Sequence, residues 1–357
     1  MSPARPVPPA RRAGRTRRAC ALAVLAPLLM AGCGAPSAPP APAPSEPAAS
    51  ATAPAGPLPS ATRTETAEEV ESPAASSSAA ATPTPQPSPT PESGQLPRGG
   101  TEVFPRYRLV GYAGLTGSPP LGRLGIGSIE KRMAELEERA EPYARGREVL
   151  PVMEMIATIV QADPGRDGKY RTRASDATIA RYLEQARASR ALLLLNIQPG
   201  RADFLDEVKA YDRWLAEPDV GLALDPEWAM GPGQVPGRVF GRTTGKVIDD
   251  VARHVSEVVA ENDLPEKVVV YHQLTPGIVR NERRLREREG VVLVKSVDGI
   301  GVRAAKEATY QRVNASTPDF VHPGFKIFYV EDAGAGPLMT PKQVLALDPV
   351  PDYVMYE

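Results

Sequence analysis

The segment Val220-Gly221-Leu222-Ala223-Leu224-Asp225-Pro226-Glu227-Trp228 carries the strongest chemical signal in the sequence. Its apolar run has strand character, and side chains on a strand alternate between two faces. Val220, Leu222 and Leu224 then share one face. Gly221, Ala223, Asp225 and, if the strand continues, Glu227 share the other. Two carboxylates held close together in a partly dry cleft split their pKa values, so that one stays protonated as an acid while its neighbour stays charged. Such a pair is equipped for general acid–base chemistry.

Polar groups end other apolar runs in the same way. Glu154 closes one, Asn196 and Gln198 another, and His272 and Gln273 a third. Asp298 follows a fourth, Tyr329 and Glu331 (with Asp332 next) a fifth, and Tyr356 the last. Trp228, beside Glu227, could stack on a ring-shaped ligand or plug a loop. The remaining histidines read as structural: His254 sits on the apolar stripe of a helix, and His322 precedes Pro323-Gly324 as a turn residue. Arg166, Lys169, Arg171 and Arg173 crowd one loop, either holding an anion or simply solvated. Asn281–Glu289 reads as a mixed-charge solvent face.

The elements that position these groups alternate regularly. The patterns predict strands at Leu109–Tyr112, Val149–Met153, Ala191–Asn196, Val220–Asp225, Val268–His272, Val291–Lys295, Phe325–Val330 and Asp352–Tyr356. Stripes at helical spacing lie between them: Ile129, Met133, Leu136 and Ala140; Phe204, Val208, Tyr211 and Leu215; Val247, Val251, His254 and Val258. A capping-box pattern, Thr340-Pro341-Lys342-Gln343, opens a last helix. Eight strands alternating with helices over residues 101–357 predict an α/β fold, a (β/α)8 TIM-type barrel. Long segments after the first, second and fourth strands fit a site on the face where the strands end. The rival is an open doubly wound sheet. The glycines at 122, 125 and 127 are spaced wrongly for its dinucleotide fingerprint.

Asp-x-Glu closing strand 4 of such a barrel resembles the family-18 chitinase-type glycoside hydrolases and, more loosely, the family-25 lysozymes. The resemblance covers Asp225, Glu227 and the inferred topology. It implies Glu227 as general acid, with Asp225 positioning it or the substrate. Ala223 and Val220 stand where the chitinase pattern has further aspartates, and Met355 and Tyr356 where it has a tryptophan. A retaining arrangement with the nucleophile on strand 7 would instead pair Glu227 with Glu331, and Asp298 is the other candidate nucleophile or base.

The amino-terminal part points to export. Six arginines and no acid occupy the first 18 residues, then an apolar run from Ala19 to Ala31 ends Leu29-Met30-Ala31-Gly32-Cys33. A charged region, a short apolar region and small residues before a cut describe a signal peptide over residues 1–32. At about 13 residues the apolar run is shorter than the roughly 20 a spanning helix needs. The run resembles the lipobox of bacterial lipoproteins, which implies acylation of Cys33 and attachment to the outer face of the cell membrane. The only other cysteine, Cys20, lies inside the signal, so the domain has no thiol chemistry and no disulfide. Residues 33–100, rich in Pro, Ala, Ser and Thr, bury too little apolar area to fold and predict a disordered tether.

Residues 101–357 carry a formal net charge of −3, which gives no footprint for nucleic acid. Three functions fit these residues. The first is a surface-anchored hydrolase of a cell-wall or extracellular glycan, using Glu227, Asp225 and Asp298 or Glu331, without a cofactor. In that reading Glu154, Asn196, Gln198, Trp228, His272, Gln273, Tyr329 and Tyr356 bind substrate. The second is a barrel that binds a glycan or small ligand without turnover. The third is a metal-dependent hydrolase using Asp225, Glu227, His272 and Asp298.

Overall fold

The computed structural model describes residues 94–357; the predicted signal, Cys33 and most of the tether lie outside the described residues. Eight parallel strands close a barrel: β1 (Tyr107–Gly114), β2 (Glu148–Val160), β3 (Leu192–Ile197), β4 (Val220–Leu224), β5 (Lys267–Gln273), β6 (Val291–Val297), β7 (His322–Ile327) and β8 (Tyr353–Tyr356). Each pairs with the next, and β8 returns to β1 with Leu109 opposite Tyr353. The fold is therefore a TIM-type barrel with helices between strands. Closure leaves no exposed sheet edge, which an open sheet would have.

The helices follow their capping and stripe signals. α1 (Ile129–Ala140) starts where the Ser128 hydroxyl accepts from the Lys131 backbone N–H, and Ile129, Met133, Leu136 and Ala140 are all buried. α2 (Asp176–Ala188) is capped likewise by Ser175. The stripe Phe204–Leu215 is buried as expected but belongs to two short helices, α3 (Phe204–Lys209) and α4 (Asp212–Leu215). α5 (Gly245–Asn262) is the longest, α6 (Arg303–Asn314) follows β6, and α7 (Glu331–Ala335) and α8 (Pro341–Val344) follow β7. The Thr340–Gln343 capping box forms with both of its reciprocal bonds. Among the described residues no helix is long and apolar enough to cross a membrane.

Four local expectations change. No α-helix joins β5 to β6; a turn at Glu282–Arg284 does so, and Thr243–Thr244 pairs there with Val279–Arg280. Within the predicted solvent face, Glu282 is buried against Lys295 Nζ at 2.8 Å, and Leu285 joins the core. β7 begins three residues earlier than predicted, so His322 opens a strand rather than a turn, with Nδ1 2.8 Å from Asp352 Oδ2. β2 runs on to Val160 and bends back as a hairpin onto Arg171–Arg173, where Arg171 and Arg173 each hold buried Glu207 at 2.8 Å.

Two apolar layers result from the alternation of strand side chains. Leu109, Leu150, Val152, Leu194, Ala223, Val268, Val270, Val294 and Met355 fill the barrel, and Leu96 and Val103 join them. Leu193, Leu195, Leu222, Leu224, Val269, Leu293, Phe325 and Val354 pack outward against the helices. His254 lies partly buried at that outer layer, with Nε2 2.7 Å from Asp212 Oδ1.

Candidate active site

Each of β2 to β8 places a polar group on its inward face at or just past its carboxyl end, with apolar Ile156 lying above Glu154 on β2. The polar groups are Glu154 on β2, Asn196 on β3, Asp225 after β4, His272 on β5, Ser296 and Asp298 from β6, Lys326 on β7 and Glu357 after β8. β1 contributes only the small Ala113. Below this ring the barrel is apolar, so the polar groups lie between a dry core and the mouth. A cavity of about 490 Å3 opens over them, lined also by Gln198, Glu227, Trp228, Phe240, Ile300 and Phe328.

The ring is a connected network. Asn196 Nδ2 donates to Glu154 Oε1 and to Asp225 Oδ1, each at 3.0 Å, and Gln198 Nε2 donates to Asp225 Oδ2 at 3.1 Å. The Tyr353 hydroxyl donates to Glu154 Oε2 from inside the barrel. His272 Nδ1 lies 2.8 Å from Asp298 Oδ2, and its Nε2 lies 3.1 Å from Glu154 Oε1 but off the line of a hydrogen bond. Ser296 Oγ donates to Asp298 Oδ1 at 2.7 Å. Lys326 Nζ lies 3.3 Å from Asp298 Oδ2 and pairs with Glu357.

These contacts set the charges. Burial opposes ionisation of Glu154, but His272 and Lys326 outweigh it and hold the carboxyl at about 2. Burial likewise opposes the charge on Asp298, and the same two cations pull it well below the usual carboxylate range. Burial opposes the charge on His272, yet Asp298 and Glu154 raise it well above the ordinary imidazole value. For Lys326, Asp298 and Glu357 overcome burial in the same direction.

Glu227 behaves oppositely. Burial, followed by the charges of Asp225 and Asp298, pushes its carboxyl well above the ordinary value. The chain turns at Pro226–Trp228, and Gly241 N donates to the Glu227 carbonyl at 2.6 Å, which fixes the residue at the rim. Its Oε2 is buried and has no hydrogen-bond partner among the described residues; the same holds for Asn196 Oδ1. Both residues line the cavity, and a carboxyl of raised proton affinity and an amide are groups that can donate to and accept from a bound polyol. Asp225, held by two amides, lies beside the acid; burial raises its carboxyl above the ordinary value against the opposing pull of His272 and Lys326.

The structure brings together Glu227, Asp225, Asp298, Glu154, Asn196, Gln198, Trp228 and His272. It does not bring in four other expected residues. Glu331 lies exposed on α7, outside the cavity; its neighbour Asp332 is buried against Lys306 Nζ at 2.8 Å. Tyr329 and Tyr356 stack on each other outside the barrel, ring centroids 5.4 Å apart, and Tyr356 meets the Tyr143 hydroxyl at 2.6 Å. Gln273 donates to the Thr275 carbonyl at 3.2 Å and does not line the cavity. Each of Tyr329, Tyr356 and Gln273 falls on the outward parity of its strand. Lys326, Ser296, Tyr353 and Glu357 are site residues that the sequence patterns did not single out. A lysine between Phe325 and Ile327 was the available signal: with those two facing the helices, Lys326 must face the axis.

Among the described residues, no three His, Asp or Glu side chains are placed to hold a metal ion. Asp225, Glu227, His272 and Asp298 do not form a metal-binding set, because His272 turns its nitrogens to Asp298 and Glu154, and Lys326 sits against Asp298. No family model matches this chain, and no curated protein matches it.

Proposed function

We propose that the protein is an exported lipoprotein, anchored by acyl chains (palmitate among them) on Cys33, whose barrel hydrolyses a cell-wall or extracellular glycan. The observation that carries the catalytic part is Glu227: a cavity-lining carboxyl whose proton affinity burial and neighbouring acids raise, with one buried oxygen unpartnered among the described residues, beside an Asp225 held by two amides. Glu227 protonates the glycosidic oxygen as the bond to the anomeric carbon breaks, and Asp225 balances the positive charge that develops on the sugar ring. Trp228 and Phe240 offer faces for sugar rings at the mouth. Signal peptide, lipobox and tether support the anchoring.

The test is release of reducing ends from a panel of cell-wall and extracellular polysaccharides by wild type and Glu227→Gln. Hydrolysis by wild type and its loss in the folded variant are expected; equal activity of the two would refute the reading. Mass spectrometry of the mature amino terminus tests acylation, and a Cys33→Ala protein is expected in the medium rather than in the membrane fraction.

Binding without turnover is the second reading, and one observation favours it. Asp298, expected as nucleophile or base, has both oxygens engaged by His272, Ser296 and Lys326. Calorimetry that detects glycan binding while no product forms would select it.

A further inference from the structure

With Asp298 engaged on both oxygens and Glu331 outside the cavity, the partner of Glu227 must be sought elsewhere in the ring. Asp225 accepts from two amides, and Glu154 is closed in by Asn196, His272 and Tyr353. Glu357 differs. Lys326 Nζ pairs with one of its carboxylate oxygens, and its side chain lines the cavity with about a quarter of its surface exposed.

Its placement is built. The backbone N–H of Glu357 donates to Ile327 O and its carbonyl accepts from Tyr329 N, both at 2.9 Å. The β7–β8 ladder thus continues one residue past β8. Tyr353 and Met355 face the axis, so the next inward position is Glu357, which lines the same cavity as Glu227. Gly122 leaves room for it: a Cβ there would stand 2.9 Å from Glu357 Cγ, and φ of 109° is a conformation that favours glycine. In a closed ring of eight strands, β4 and β8 are diametrically opposed. Glu227 and Glu357 therefore stand on opposite walls of the cavity.

We propose that Glu357 is the second catalytic carboxylate, the base that activates water on the sugar face opposite Glu227. The proposal rests on the glycan-hydrolase reading. Glu227 gives its proton to the glycosidic oxygen as the bond from that oxygen to the anomeric carbon breaks. Glu357 takes a proton from the water whose oxygen forms the new bond to that carbon. The products are the freed alcohol and a hemiacetal of inverted configuration, and exchange with solvent returns the two carboxyls to their starting states. Lys326 positions Glu357. Burial raises the proton affinity of the Glu357 carboxyl against the opposing pull of Lys326, as suits a base.

The experiment uses the full chain and a panel of dinitrophenyl glycosides, whose leaving group needs no acid, followed by the natural-type polysaccharide that wild type cleaves. Glu357→Ala and Glu357→Gln are expected to lose roughly 100- to 10,000-fold in kcat. Azide is expected to restore turnover of the Glu357→Ala protein and to yield a glycosyl azide of inverted configuration. Glu227→Ala should keep activity on dinitrophenyl glycosides and lose it on the polysaccharide. Proton NMR of the wild-type reaction should show inversion. Activity of both Glu357 variants within threefold of wild type, loss without azide rescue, or retained configuration would overturn the proposal while leaving glycan hydrolysis standing. A wild-type protein that cleaves nothing in either panel would overturn the hydrolase reading and this inference with it.

Discussion

His272 Nδ1 lies 2.8 Å from Asp298 Oδ2, with the imidazole wholly sealed from solvent. A buried carboxylate tolerates this position because a charged ring faces it, and the ring stays charged because a second carboxylate, Glu154, stands on its other side. Removing one member leaves an uncompensated charge. His272→Ala is expected to destabilise the barrel by about 3–5 kcal/mol, read by urea unfolding at neutral pH. A loss under about 1 kcal/mol would mean that Lys326 alone neutralises both acids.

The same network sets a pH window. Glu154 is held at about 2 against an ordinary 4.5, so its stabilisation is full above the ordinary value and is lost as pH falls toward 2. His272 is raised, so its contribution is full below the ordinary imidazole value and is lost as pH rises through the raised one. Unfolding free energy is expected to decline between pH 4.5 and 2 in wild type and less steeply in Glu154→Gln. Parallel curves for the two proteins would contradict this assignment.

Glu227 has the opposite linkage. The unfolded chain ionises this carboxyl in the ordinary range, while burial in the folded protein raises its proton affinity, so stability falls as pH rises through that range. Glu227→Gln removes the ionisable group and keeps its shape. It is expected to raise Tm at pH 7, with the gain vanishing below about pH 4. An equal or lower Tm at pH 7 would show that Glu227 ionises in place. On the proposed hydrolase reading, wild-type activity should persist above the ordinary carboxylate range and fall as Glu227 ionises.

Adjacent acids on α7 should behave differently. Lys306 Nζ lies 2.8 Å from Asp332 Oδ2 and also donates to the carbonyls of Gly299 and Lys326, all in a buried setting. Asp332→Ala leaves that ammonium without its counter-charge and is expected to cost about 3–5 kcal/mol. Glu331→Ala, at an exposed position, should stay within about 0.5 kcal/mol of wild type. Denaturant curves of the two variants give the comparison, and similar midpoints would refute it.

The barrel axis sets a steric prediction. A Cβ at Gly111 would lie 2.6 Å from Val152 O and 2.7 Å from Met355 Cε; at Gly221 it would lie 2.5 Å from Val268 O. Two of these three neighbours are backbone and cannot swing away. Gly221→Ala is expected to destabilise by about 1–3 kcal/mol, measured by thermal or urea unfolding. A neutral result would mean that the inner layer can repack.

The sequence by itself determined the eight strands alternating with helices and the inward parity of Asp225, because strand and helix periods are local properties of the chain; closure as a (β/α)8 barrel, expected from that alternation, rests on β8 pairing with β1. The sequence also located Glu227, Glu154, Asn196 and His272 as groups at or near strand ends. Tertiary structure decided which polar residues meet. Glu331, Tyr329 and Tyr356 looked equivalent to the others until strand boundaries were fixed, and a three-residue shift in β7 moves the site from Glu331 to Lys326. Lys326 and Glu357 belong to the site because closure places β7 and β8 beside β6 and opposite β4, a relation between residues far apart in the chain. The charges likewise belong to the assembled ring. The raised proton affinity of Glu227 follows from burial and from the acids beside it, the lowered one of Glu154 from the cations beside it, and no local pattern carries either.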